Sequence, residues 1–553
     1  MFKLKLRKVF SILLSVSIIL TMFTGLLSVQ TGAETSGNYT YTVSGGNATI
    51  TKANASISGD VTIPSTLGGY PVTGIGREAF SGCTGLTSVV IPAGVTSIDN
   101  EAFYYCTGLT SVTIPSTLTQ INGYVFSGCS GLTSIVIPDS ITSIGSFAFY
   151  NCTGLTSIVI PNNVKDIGQY AFYGCTGLTS VTIGNSVTSI GGNAFFKCTG
   201  LTSVVIPDSV TRINESAFKQ CTGLTSMVIP NSVTDIGNSA FSTCTGLTSV
   251  TIGDGLANIG TFVFEGCTSL TGINISENNA NFSSEGGVMY SKDKTSIVCY
   301  PSGKAGTQFT IPDGVTSIEY NAFCDCTKLT SIVIPNGVTS IANYAFEDCT
   351  GLTSIVMPKS VKTIGYFAFT GCTNLSDVYY TGSQAEWGSI SIGRNNDPLT
   401  SATKNYDYKV LSSISVHTEP TKVTYNVGES LDTTGLALQL TYNDNSTESV
   451  TTGFTTSGFD STTAGTKTVT VTYNGKTATF DVTVNEVVNL GDANGDGNVD
   501  AIDATLILQQ YAGIATIQSN FTANADVNND GNIDAIDATL ILQYYANIIS
   551  SFT

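Results

Sequence analysis

The sequence predicts a multidomain, mainly β chain: a solenoid of short stacked strands, then a small β-sandwich, then a small α-helical module built on two acidic loops. Three observations carry this reading. Cysteines recur every 23 residues from Cys83 to Cys267 and again from Cys326 to Cys372. From about Leu411 that period gives way to short alternating apolar runs. From Asp492 an acidic loop followed by a helical pattern occurs twice, the copies offset by 34 residues.

The chain opens as an export signal does. Lys3, Lys5, Arg7 and Lys8 precede an apolar run from Val9 to Leu27, and Thr31-Gly32-Ala33 offers small residues for cleavage before Glu34. Residues 1–33 are therefore expected to be a signal peptide, a retained anchor being the alternative because the run is nearly long enough to span a bilayer. No later stretch is apolar enough to span, so a secreted, extracellular chain with no membrane insertion is expected. Without the four basic residues of that segment, 18 Lys+Arg face 40 Asp+Glu, a formal charge of −22 against −18 for the whole chain. Nucleic acid and anionic membrane are disfavoured as partners, since both need a positive surface; cations are the natural counterpart.

The solenoid is written in the period. From Cys83 the chain reads CTGLTSVVIPAGVTSIDNEAFYY and then CTGLTSVTIPSTLTQINGYVFSG. Leu86, Val89 and Ile91 have the spacing of a leucine-rich repeat, in which a short strand lines one face of each coil, and Pro92 ends the strand. The pair Ala102-Phe103 recurs as Ala148-Phe149, Ala171-Phe172 and Ala194-Phe195, which predicts a stacked phenylalanine column. One cysteine per repeat predicts a column of small buried residues. Strands about 4.8 Å apart hold such thiols too far apart to bridge, since a disulfide wants Cβ atoms at about 3.8 Å. These motifs closely resemble BspA-like leucine-rich repeats over roughly residues 60 to 375, and the resemblance implies a repeat domain over 34–410 with terminal caps, Trp387 lying in the second. Between Cys267 and Cys326 the step is 59 residues, and the excess is expected to be a hairpin, Val288 to Tyr300, projecting from the stack. Outward strand positions form flat rows, Ser157, Ser180 and Ser203 beside Val159, Thr182 and Val205. Such a face offers no aromatic platform and no charged cluster, and fits a spacer as well as a protein-binding surface.

Residues 411–486 read as half-buried strands separated by turn residues such as Asn474-Gly475. GESLDTTGL, LTYNDNST and TKTVTVTYNGKTATF resemble a bacterial Ig-like domain, here without cysteines. Its expected role is that of a spacer. His417, the one histidine of the chain, is expected at its surface.

The two acidic loops are DANGDGNVDAID from Asp492 and DVNNDGNIDAID from Asp526. Oxygen donors stand at positions 1, 3, 5, 9 and 12 with glycine at 6, the EF-hand loop rule with Asp in place of the terminal Glu. The first set is Asp492, Asn494, Asp496, Asp500 and Asp503 with the carbonyl of Asn498; the second is Asp526, Asn528, Asp530, Asp534 and Asp537 with that of Asn532. From Leu490 to Thr553 there are eight carboxylates, all at these positions, and no Lys or Arg. Crowded carboxylates need a hard cation, and an oxygen-only donor set favours calcium, so two Ca2+ ions are expected. Loop followed by helix, twice, resembles a type I dockerin over residues 490–553. The resemblance implies folding around calcium and binding to a cohesin module of a scaffoldin, typically within a cellulosome. It places recognition at Ala501, Ile502, Leu508, Gln509 and Gly513 in the first copy and at Ala535, Ile536, Leu542, Gln543 and Asn547 in the second. Because the copies agree closely, docking is expected in two orientations related by a half-turn.

The function expected first is that of a secreted, non-catalytic component that attaches to a scaffoldin and presents its repeats to a protein or cell-surface ligand, placed by context in polysaccharide breakdown. The alternative is a cell-surface adhesin for host or neighbouring-cell proteins. A polysaccharide-degrading enzyme ranks third: a single histidine removes most Ser-His and Cys-His schemes.

Overall fold

The computed structural model describes residues 32–486 and 488–552; residues 1–31, where the export signal is read, lie outside the described residues. About 30% of the described residues are in strands and 7% in helices, which makes the fold mainly β. It forms two compact units, one ending at Tyr408 and the other starting at Lys409. Among the described residues no helix is long and apolar enough to cross a membrane.

The first unit is the solenoid. Most coils give a short strand to one wall, such as Ser157–Val159, and a two-residue strand to another, such as Asp166–Ile167. Coils stack in parallel at a constant offset, Ser157 opposite Ser180 and Asp166 opposite Ser189. Side-chain alternation along a strand then sorts the residues: Ile158 is buried while Ser157 and Val159 face water. Inside, the rings from Phe80 to Phe264 form one stack, Phe149, Phe172 and Phe195 following each other at 5.2 Å.

All fourteen cysteines are free. Most column thiols donate to the carbonyl of the phenylalanine in the preceding coil, Cys175 Sγ to Phe149 O at 3.1 Å for example, while Cys83 and Cys326 reach the carbonyls of Asn54 and Tyr300. Cysteine therefore supplies what the position asks for, a small apolar side chain with one weak donor. Burial pushes the Cys175 and Cys221 thiols up to about 12, so they stay protonated and unreactive at neutral pH.

Tight corners close each coil, and two residues per coil take left-handed backbone there. Tyr105, Asn151, Lys197, Gln220 and Thr243 do so at equivalent positions, where other coils carry Gly128 and Gly174. Thr243 is the least suited of these: it is β-branched at φ 56° and its hydroxyl is buried without a partner. Left-handed backbone costs an L-residue roughly 1–2 kcal/mol, and glycine's extra chain entropy offsets only part of that. Thr243→Gly is expected to stabilise the solenoid by about 1 kcal/mol in urea unfolding; a destabilised variant contradicts this account of the corner.

The insertion corrects one expectation. Val288–Ser291 and Ser296–Cys299 do form a hairpin, with Phe282–Glu285 as a third antiparallel strand, but it does not project. Ser296–Cys299 pairs in parallel with Ser317–Ile318, and Tyr300 stacks 5.3 Å from Phe323 as the next member of the ring column. Val288, Met289, Tyr290 and Ile297 are buried. Leaving four such side chains in water would forgo roughly 1.5–3 kcal/mol each, which outweighs the hint given by the exposed turn at Lys292-Asp293-Lys294.

The ends of the stack are covered. A hairpin of Tyr39–Ser44 and Asn47–Ala53 pairs with Tyr70–Ile75 at the first end. At the other, Thr403–Asn405 pairs with Asp377–Tyr380, and Trp387 packs edge-on against Tyr380 with the Lys404 ammonium 5.7 Å from its ring centre.

In the second unit, residues 411–485 form a sandwich of a three-stranded and a four-stranded sheet around Tyr425, Leu438, Leu440, Val469 and Phe480. Asn474 and Gly475, at φ 46° and 78°, make the two-residue turn between its longest strands. His417 is exposed. The helical module follows, with two eleven-residue helices, Ala501–Tyr511 and Ala535–Tyr545. Its small core is built from Ala504, Ile507, Ala538 and Ile541 with Ile517 and Val527.

Candidate metal loops and docking helices

Each loop is shaped by its own N–H groups. The Asp492 carboxylate accepts from the backbone nitrogens of Gly495, Asp496 and Gly497 at 2.8, 3.1 and 3.0 Å. Asp526 accepts likewise from Asp530 and Gly531. Gly497 and Gly531 stand at φ 89° and 88°, the left-handed turn that only glycine makes without strain. Asp500 and Asp534 cap the two helices, each accepting from the nitrogen two residues on at 2.7 Å.

The last donor of each loop doubles as a structural tie. Asp503, fully buried, accepts from the nitrogens of Asn494 and Asp500; Asp537, equally buried, accepts from those of Val527 and Asp534. Burial pushes the Asp503 carboxyl above the usual range, against the pull of those N–H bonds. Asp496 and Asp530 are pulled below it by the backbone N–H groups of Asn498 and Asn532. Asn494 and Asn528 donate their side-chain amides to Asp496 and Asp530 at 3.0 and 2.9 Å, and Asn498 and Asn532 do the same at 3.1 and 3.2 Å. In neither loop do three carboxylates each bring an oxygen within 4.8 Å of the others. The donor set nevertheless fits a hard divalent cation, because buried carboxylates face only oxygen and amide groups and the module contains no Lys or Arg.

The helices present the residues singled out for docking. Ala501, Ile502, Leu508, Gln509 and Gly513 are exposed, as are Ala535, Ile536, Leu542 and Asn547; Gln543 is half-buried. Ile502 is 61% and Ile536 55% exposed, with Leu508 and Leu542 exposed beside them on the same helices, the kind of apolar patch that marks an interaction surface. Gly513 and Asn547 end their helices in left-handed backbone at φ 68° and 56°. Sequence reasoning missed Tyr511, Tyr545, Ile514 and Ile548, which extend the same exposed strip at 57–76% exposure. Their identity between the two copies was the available signal. It also missed Asn524, buried, whose amide bonds the Asp492 carbonyl at 2.9 Å and so ties the linker to the first loop.

A further surface was missed on the solenoid. Beside the flat strand face, two short aromatic rows run along the coil corners: Tyr124, Phe147 and Tyr170 stacked at 4.4 and 4.6 Å, and Tyr150, Tyr173 and Phe196 at 4.7 and 4.9 Å.

The profile of the BspA type leucine rich repeat region matches in six copies across residues 73–202, 193–286 and 298–404, more than half of the chain. The chain belongs to the BspA-type leucine-rich repeat family. This BspA-type protein also matches a bacterial Ig-like domain of group 3 at 418–484 and a type I dockerin domain at 490–545. All three are non-catalytic kinds of module, and the dockerin is a calcium-binding kind that implies a cohesin partner and, with the repeats, a cellulosome-type or cell-surface, protein-interaction role outside the cell. It is similar to a leucine-rich repeat protein from Bacteroides ovatus, at 27% identity and a TM-score of 0.49 over 68% of this chain and 99% of that one. It is similar also to a leucine rich cell surface protein from Faecalibacterium prausnitzii, at 31% identity and a TM-score of 0.42 over 66% and 98%. A stretch of 121 residues is 39% identical to an exo-beta-1,6-galactobiohydrolase of Bifidobacterium longum subsp. longum; it covers 19% of this chain and 8% of that enzyme.

Proposed function

We propose that this is a secreted, non-catalytic protein whose residues 490–553 bind two calcium ions and dock onto a cohesin module of a scaffoldin, leaving the repeats of 34–410 to engage a protein or cell-surface ligand, with 411–486 as a spacer. The ions lie with Asp492, Asn494, Asp496, Asn498, Asp500 and Asp503 in one loop and with Asp526, Asn528, Asp530, Asn532, Asp534 and Asp537 in the other. The observation that carries the reading is the pairing of two cation-ready loops with two helices whose apolar residues at equivalent positions, Ile502 with Ile536 and Leu508 with Leu542, stand in water. Exposed apolar side chains on paired helices mark a protein-binding surface. The same enzyme-free set of modules supports the non-catalytic part. The test is capture of the full chain by a panel of immobilised cohesins in calcium and in chelator. Capture by at least one cohesin, in calcium alone, is expected; binding that persists at full strength in chelator sinks the calcium link.

A further inference from the structure

The 23-residue repeat puts one residue of each coil two places before the column cysteine. In most coils it is aromatic or a small alcohol: Tyr150, Tyr173, Phe196, Ser242. Only at the insertion seam does the row become Glu265, Cys324 and Glu347, on successive cysteine-bearing coils. The two glutamates are long enough to reach the shorter cysteine from either side, and the three donor atoms lie within 4.8 Å of one another. Asp325 stands outside that trio but beside its sulfur: the Cys324 thiol donates to Asp325 Oδ2 at 3.5 Å and reaches Glu347 Oε2 at 4.0 Å.

Of these separations the 3.5 Å between Cys324 and Asp325 is that of a coordination shell, and the wider ones leave the two flexible glutamates to close in on an ion. Tetrahedral ligands with metal bonds of about 2.0–2.3 Å stand roughly 3.3–3.8 Å apart. The carboxylates are already oriented from behind: Ser242 Oγ donates to Glu265 at 3.0 Å and the Gly266 nitrogen to Asp325 at 2.9 Å. Such outer contacts are what hold metal ligands in place. No Lys, Arg or His forms an ion pair with Glu265, Asp325 or Glu347 among the described residues. Three carboxylates around a buried thiol are thus left without a positive partner, an arrangement that a cation relieves.

A second observation points the same way. A cavity of about 440 Å³ reaches Glu265 and Cys324 and is also lined by Asn321. The side-chain nitrogen and oxygen of Asn321 are both shielded from solvent, and neither has a hydrogen-bond partner. Buried amides are rarely left so unless something polar shares their space.

We propose that Glu265, Cys324, Asp325 and Glu347 form a binding site for one divalent transition cation of the zinc type, clamping the coil before the insertion to the two coils after it. The single sulfur selects against calcium, and three oxygens select against a soft monovalent ion. On binding, the Cys324 thiol gives its proton to water and the thiolate becomes the metal's ligand. The site is independent of the dockerin loops, which offer oxygen alone.

The test uses the full chain in saturating calcium, so that the dockerin loops are filled, with Co2+ as the probe. One Co2+ per chain is expected to give a near-ultraviolet sulfur-to-cobalt charge-transfer band that Zn2+ displaces. The band should vanish in Cys324→Ser and persist in Cys175→Ser, a column thiol far along the stack. Glu347→Gln, which preserves side-chain volume and so tests the site even where Cys324→Ser folds poorly, should weaken Co2+ binding at least about tenfold. Absence of the band in the wild-type chain, its survival in Cys324→Ser, or unchanged affinity in Glu347→Gln overturns the proposal.

Discussion

Chelating calcium from the intact protein is expected to unfold residues 490–552 and leave the solenoid standing. Far-ultraviolet circular dichroism should lose its helical part while the β signal stays, and limited proteolysis should cut within Ala501–Tyr511 and Ala535–Tyr545. The magnitude follows from the size of the module. A domain of some sixty residues holds roughly 3–9 kcal/mol of stability at 0.05–0.15 kcal/mol per residue. A site at a hundredfold excess of ligand over Kd contributes about 2.7 kcal/mol, so two sites supply about as much as the module has. Its apolar core is eight buried side chains, three of the largest being isoleucines, which cannot replace that contribution. Without the ions Asp503 and Asp537 also remain buried among other carboxylates. An unchanged helical signal in chelator would show that the loops close on their own hydrogen bonds.

The second large effect is a contrast between variants. Ile502→Ala with Leu508→Ala is expected to weaken cohesin binding only about twofold, the cost of losing one of two equivalent orientations, and Ile536→Ala with Leu542→Ala the same. Combining all four should lower affinity by at least a thousandfold, since central apolar anchors of an interface are each worth about 2 kcal/mol or more. Titration calorimetry with one cohesin reads both outcomes. Abolition by the first pair alone would mean that one helix does the docking.

What could be read in the sequence was whatever repeats. The ring column, the thiol column and the strand alternation all recur at one offset, so each coil tests the last. The dockerin module was legible because every carboxylate of that segment falls on the twelve-residue loop pattern. The failures share the opposite cause. Val288 to Tyr300 occurs once, and its charged turn is a local signal that says nothing of the coil edge waiting to pair with Ser296–Cys299. Glu265, Cys324 and Glu347 are 59 and 23 residues apart, so only the stacking makes them neighbours. The aromatic rows escaped because they lie at corners, outside the strand positions that alternation addresses.

The constant pairing offset also bears on how such a chain changes in evolution. Because Ser157, Ser180 and Ser203 occupy one ladder at identical phase, excising a stretch such as Cys175 to Lys197 brings Cys198 onto the seat that Cys175 held. Every ring, thiol and rung then finds an equivalent neighbour. Unequal recombination can therefore shorten or lengthen this rod by about 4.8 Å at a time, altering its reach without any compensating substitution in its interior.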